Sequence, residues 1–227
     1  MNLPESDFEV FDHDDAAAQL AGVRALASGC ARVVDLGAGR GRISVPLASD
    51  GALVLAVDRS SAALGSSEWD SAPNIVRLQE DFLDSQPDWI AHGPFDLICC
   101  LGNTLNLVLD TDLITRFFDL AFRAAAPGGR LICDDVPFWG EELRDPELWP
   151  CGLSLDGRQQ LAWTPEGSCF AYRTGRAVDP DRLHPHPEER LLRLWSVSEL
   201  NEVAIGAGWA PAVHREEGLI MSFLKED

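Results

Sequence analysis

Val33-Val34-Asp35-Leu36-Gly37-Ala38-Gly39-Arg40-Gly41-Arg42 decides how this chain is read. The run is apolar up to a carboxylate, passes through glycines at alternate positions, and enters a helical pattern. That order predicts a strand, a tight turn and a helix N-terminus. Glycine lacks a Cβ and tolerates unusual φ/ψ, so a ligand can lie against the main chain. The helix start adds unpaired N–H groups and a positive partial charge. Gly37, Ala38, Gly39 and Gly41 are therefore expected at a ligand.

Further apolar runs follow at residues 52–57, 74–78, 95–101 and 130–136, with helical patterns between them. Continuous apolar strands separated by helices indicate an α/β chain whose parallel sheet is covered on both faces. The clearest helix spans 112–126, where Leu113, Ile114, Phe117, Phe118, Ala121, Phe122 and Ala125 share one face. Pro127-Gly128-Gly129 is expected to end it. From 137 to 187 the chain is rich in Pro, Trp and Gly, with strand-like stretches at 158–164 and 168–178 and a less regular one at 190–195. Residues 137–195 are expected to form a small antiparallel insert, a lid within a single domain spanning 1–227. A capping box, Ser196 with Glu199, then starts a helix that reaches residue 207.

The 227 residues suffice for one domain with a real core. A formal net charge of −19 repels a phosphate backbone, which argues against a nucleic-acid partner and an anionic membrane surface. No apolar run approaches the ~18 residues of a membrane span. The acidic N-terminus does not read as a secretory signal, so the cytoplasm is the expected location. Six cysteines include no CxxC pair, no metal site is expected, and Cys99, Cys100 and Cys133 read as buried thiols. Oligomeric state is left open, a homodimer included.

The glycines alone do not name the ligand. A dehydrogenase fingerprint, G-x-G-x-x-G, has its third glycine one residue later. Asp35 would also repel a pyrophosphate and welcome an ammonium group. Acidic residues recur at strand ends as Asp35, Asp58 and Asp81, on the edge where open parallel sheets bind ligands. Asp58 is placed to accept from ribose hydroxyls, Asp81 from an adenine amino group, and Phe82 to cover the base. Together they describe an adenosine derivative without phosphates and with a cationic tail.

At these residues the chain resembles the class I S-adenosylmethionine-dependent methyltransferases of small molecules. The likeness extends through Phe95-Asp96-Leu97-Ile98-Cys99-Cys100-Leu101-Gly102-Asn103 and Ala126-Pro127-Gly128-Gly129-Arg130-Leu131-Ile132, covering roughly residues 20 to 136. It implies a Rossmann-like, seven-stranded, mostly parallel sheet with helices on both faces and an antiparallel last strand. It also implies S-adenosyl-L-methionine as cofactor, with the Asp35–Gly41 turn at its methionine part, Asp58 at the ribose and Asp81-Phe82 at the adenine, and Arg59 is expected among the cofactor-binding residues. Leu101, Gly102, Asn103 and Asn106 belong to a loop that resembles the Gly-Asn-Ser/Thr loop between cofactor and acceptor.

The acceptor is expected to be a small organic molecule under the insert, with N-methylation favoured over O-methylation. No catalytic residue is assigned. Asn103, Asp134, Asp135, Trp139, His184 and His186 are the substrate candidates. Asp134 and Asp135 read equally as an ammonium site or as caps of the following loop. His184 and His186 read as a base, as metal ligands or as a proline-stiffened surface loop, and the tryptophans as an aromatic wall or a small core. Two rival readings stand beside this one: an NAD-dependent oxidoreductase, and a catalytically silent S-adenosylmethionine-binding module.

Overall fold

The computed structural model describes residues 13–71, 74–134, 142–215 and 219–226. The apolar runs become parallel strands β1 (Arg32–Leu36), β2 (Leu53–Asp58), β3 (Ile75–Gln79), β4 (Phe95–Cys100) and β5 (Ala125–Asp134). The insert contributes β6 (Gln159–Trp163), β7 (Cys169–Thr174) and β8 (Leu191–Arg193), and the chain closes with β9 (Val213–Arg215) and β10 (Ile220–Leu224). The large sheet runs β3-β2-β1-β4-β5-β10-β9, with β10 antiparallel to both neighbours. Strand order reverses between β1 and β4, which brings the loops after those two strands together at the carboxyl edge.

Both faces of the sheet are covered. Successive strand residues point to opposite sides, so Val33 and Leu97 enter one apolar cluster while Val34 and Ile98 enter the other. The first cluster takes in Val23 of α1 (His13–Ala27) and Leu47 of α2 (Ser44–Ser49). A short α3 (Ser61–Leu64) follows β2. The second cluster takes in Phe117 and Phe118 of α4 (Thr111–Ala124) and Leu200 of α5 (Val197–Gly206). Among the described residues, no helix is long and apolar enough to cross a membrane.

α4 starts where Asp110 accepts the N–H groups of Asp112 and Leu113. It ends at Ala124, two residues short of the sequence expectation, and β5 begins at once instead of at residue 130. The reason is Lys225. Its ammonium donates to the carbonyls of Phe122 and Ala125, occupying acceptors at the helix end. Its backbone pairs with Gly128 and Gly129, drawing that stretch into the sheet. The capping box at Ser196–Glu199 forms as its spacing predicts.

β6, β7 and β8 form a separate antiparallel sheet. One face is apolar, with Leu161, Phe170, Leu192 and Leu194 buried and Trp149, Trp163 and Tyr172 packed around them. On the other face the paired residues Gln160 and Arg173 are both buried. Arg173 uses all five of its N–H donors: two on Glu189, at 2.6 and 2.8 Å, and one each on the Gln160 side chain and the carbonyls of Arg182 and His184. At Trp195 the chain has rejoined the main core, where the indole N–H donates to the Val108 carbonyl at 3.0 Å.

Candidate functional site

The turn after β1 is folded onto β2. The N–H groups of Gly37 and Ala38 both donate to the Val57 carbonyl, at 2.9 and 3.0 Å. Gly37 has φ 78°, and a Cβ there would stand 2.5 Å from the Thr104 side chain, so this glycine lets the turn touch the loop after β4. Gly39 has φ 55°, and a Cβ there would meet nothing within 4 Å, so its backbone faces open space.

Asp58 terminates β2 and ties two segments together. One carboxylate oxygen accepts the Gly39 N–H and the other the Ser60 N–H, both at 2.8 Å. After β3, Asp81 accepts the Leu83 N–H at 3.0 Å, and the Phe82 ring packs edge-on against Phe117 with centroids 5.9 Å apart.

Beyond β4, Gly102 and Asn103 both take left-handed backbone angles, φ 72° and 62°. Asp134, at the end of β5, holds them: its two oxygens accept the Gly102 N–H at 3.1 Å and the Asn103 N–H at 2.7 Å. The Gln19 amide donates to the same carboxylate at 2.8 Å, and Arg42 donates to Gln19 at 2.6 Å. Burial pushes the Asp134 pKa up, against the lowering effect of these hydrogen bonds. The Asn103 amide nitrogen is buried without a hydrogen-bond partner. Leaving such a donor unsatisfied costs ~1–3 kcal/mol, and a ligand acceptor would relieve it.

These segments enclose a cavity of ≈ 590 Å³, in the range of small-molecule sites. Of the residues singled out in the sequence, Gly37, Gly39, Asp58, Arg59, Asp81, Phe82, Gly102 and Asn103 line it. Ala38, Gly41, Leu101 and Asn106 are not in the lining. Asp35 is buried outside it, receives the Ser44 hydroxyl at 2.6 Å, and is pushed up to about 6, chiefly by burial and in opposition to the Ser44 bond and Arg42.

Asp134 likewise sits behind the wall, as a cap of the loop after β4. His184 and His186 lie outside the cavity lining. His184 Nδ1 is 2.8 Å from the Trp163 carbonyl, and His186 Nδ1 accepts the Glu188 N–H at 3.3 Å. Asp135 and Trp139 fall outside the described residues. Cys99, Cys100 and Cys133 are buried free thiols, their pKa values raised by burial.

The sequence reading missed several lining residues. Thr104, Leu107, Val108 and Leu113 follow Asn103 in the chain, Tyr172 and Leu192 come from the small sheet, and Arg190 immediately precedes β8.

The described architecture and its carboxyl-edge cavity agree with the family comparison. The methyltransferase-domain family matches residues 33–129, from β1 into the start of β5. Over those residues the chain is similar to a methyltransferase domain. The match spans the turn, both strand-end carboxylates and the Asn103 loop of that domain.

The ubiquinone biosynthesis O-methyltransferase of Idiomarina loihiensis is 25% identical to this chain over 180 residues, 77% of this chain and 63% of that protein. This chain spans 54% and 63% of the lengths of the two curated relatives it matches. Two solved methyltransferases share its fold, each at 18% identity. One is CcbJ from Streptomyces caelestis, with a TM-score of 0.66 and coverage of 96% of this chain and 94% of that one. The other is the S-adenosylmethionine-bound amino pentose methyltransferase of calicheamicin biosynthesis from Micromonospora echinaspora, with a TM-score of 0.63 and 99% coverage of both.

Proposed function

We propose that this chain transfers a methyl group from S-adenosylmethionine to a small organic acceptor, nitrogen being favoured over oxygen as the methylated atom. The observation that carries the reading is one cavity lined jointly by the Gly37–Gly39 turn, Asp58, Asp81-Phe82 and the Gly102-Asn103 loop. When bound, S-adenosylmethionine supplies an electrophilic methyl group on a sulfonium.

The residues present fit that group. Asp58 keeps acceptor capacity for ribose hydroxyls beyond its two backbone bonds, because a carboxylate has about four lone-pair sites. Asp81 is assigned to the adenine amino group and Phe82 to the face of the base. Gly37 and Gly39 offer main chain to the methionine part, and the unpartnered Asn103 amide is a donor held ready in the same wall.

The acceptor is assigned to the side of the cavity closed by Tyr172, Arg190 and Leu192, which makes residues 137–195 a lid and substrate subdomain. Holding the nucleophile in line is the main task of the protein, and orientation of this kind contributes up to ~7–11 kcal/mol. An alcohol also needs a base near its oxygen. No histidine is among the described lining residues, and the carboxylates Asp58, Glu80 and Asp81 all accept backbone N–H groups, which favours an amine that attacks in its neutral form.

Titration calorimetry with S-adenosylmethionine, S-adenosylhomocysteine and NAD tests the first half of this reading. Saturable heat with the two adenosyl sulfur compounds and none with NAD is expected. The reverse would favour an oxidoreductase. Release of S-adenosylhomocysteine over a panel of amines, aminosugars and phenols tests the second half, with amines expected to be turned over fastest. Cofactor binding without release on any acceptor would indicate a silent binding module.

A further inference from the structure

We propose that the methyl acceptor carries an anionic group, a carboxylate or a phosphate, received by Arg190 against the Tyr172 ring. This rests on the function proposed above and names the substrate class of the same cavity. Tyr172 and Leu192 of the small sheet and Arg190, the residue before β8, contribute to the lining, so the one ionised group on that side is a guanidinium. Arg190 is one of two arginines among the described lining residues, Arg59 on the parallel-sheet side being the other, in a chain of net charge −19. Guanidinium matches carboxylate and phosphate geometry with paired N–H donors.

The placement of these two side chains is built into the fold. Tyr172 is the chain neighbour of Arg173, and Arg190 is the neighbour of Glu189. Arg173 and Glu189 are joined by the two-pronged ion pair, with Arg173 only 3% exposed. The same guanidinium holds the carbonyls of Arg182 and His184. Glu189 in turn accepts the His186 N–H at 2.6 Å. The segment that presents Arg190 is therefore fastened to the strand that presents Tyr172. Leu192 pairs in register with Phe170 on the neighbouring strand and adds an apolar surface. An acceptor with an apolar or aromatic body and an acidic substituent fits this wall.

Because Tyr172 is the sole tyrosine, biosynthetic 3-fluorotyrosine gives the protein a single fluorine resonance inside the cavity. Protein saturated with S-adenosylhomocysteine is titrated with benzoate, phenyl phosphate and benzyl alcohol, probes that share a ring and differ in charge. A saturable shift with at least one anion is expected, with none from benzyl alcohol at the same concentration. Benzoate and phenyl phosphate separate the two anion classes. Arg190→Gln should weaken the anion at least tenfold, with part of the affinity kept in Arg190→Lys.

An equal response to benzyl alcohol, or an Arg190→Gln protein that binds the anions as tightly as the parent, overturns the proposal. Calorimetry of S-adenosylhomocysteine on the same samples keeps the two claims apart. Its failure to bind removes the methyltransferase reading itself. Its binding with silent anions removes only the anionic acceptor.

Discussion

On the parallel-sheet wall of the cavity, Asp58 and Asp134 hold their turns through bonds to backbone N–H groups. On the small-sheet wall, Arg173 reaches two side chains and two carbonyls up to sixteen residues away. The first wall is made of glycines and strand-end carboxylates, whose roles follow from local backbone geometry. The second depends on one buried guanidinium that satisfies a whole segment at once. The contrast teaches that the wall assigned to the cofactor is set by the course of the main chain. The wall assigned to the acceptor is set by side-chain chemistry, and is correspondingly easier to lose.

The largest expected effect tests that vulnerability. Arg173→Met leaves the partly exposed Glu189, the Gln160 side chain and the Arg182 and His184 carbonyls without their donor, and each hydrogen bond to a charged group of this kind is worth ~1.5–3 kcal/mol. Hydrogen exchange should speed up through β6, β7 and β8 while β1, β2 and β4 keep their protection. Uniform loss of protection across both sheets would mean that the two walls fold as one unit and would dissolve the comparison.

A smaller effect concerns the carboxylate behind the first wall. Asp35 holds its proton to higher pH in the folded chain than in the unfolded one, about 6 against 3.8. Its contribution to stability is therefore intact below pH 3.8 and is lost as pH rises through about 6. The loss amounts to about 3 kcal/mol. Asp35→Asn removes it while keeping an oxygen for Ser44, so urea midpoints should show the variant gaining on the parent between pH 5 and pH 8. A constant difference between the two proteins across that range would show that Asp35 does not titrate there.

The smallest of the three sharpens the assignment of the first wall. Asp58→Ala should weaken S-adenosylhomocysteine by the ~1.5–3 kcal/mol of a hydrogen bond to a charged group, about ten- to a hundredfold by calorimetry. The small sheet should keep its hydrogen-exchange protection. Unchanged affinity would remove Asp58 from the ligand.

The same contrast explains what the sequence disclosed. Strand, turn and helix signals around Gly37 are local, and so are the carboxylates that follow β2 and β3, which is why Asp58, Asp81, Phe82, Gly102 and Asn103 could be placed before any coordinates. The end of α4 was misjudged because the group that ends it, Lys225, lies about a hundred residues downstream. Asp35 is expected at the ligand from its strand-end position and is found buried outside the lining, because such a position fixes a residue's location but not whether its carboxyl faces the cavity or the interior.

In the small sheet, Gln160 and Arg173 carry the polar half of an alternating pattern, which reads as a solvent face. Both are buried, because the segment leading to Glu189 covers them. Binary patterning has no term for a polar face that becomes an interior through its own hydrogen bonds. Arg190 was invisible for the same reason, since its placement derives from that hidden face.

The re-entry of the chain at Trp195 carries an evolutionary consequence. The indole is moored to Val108, a residue of the parallel-sheet wall, while the three strands before it make a hydrophobic cluster of their own. A segment attached in this way can drift in sequence, or be exchanged between lineages, with its docking point left in place.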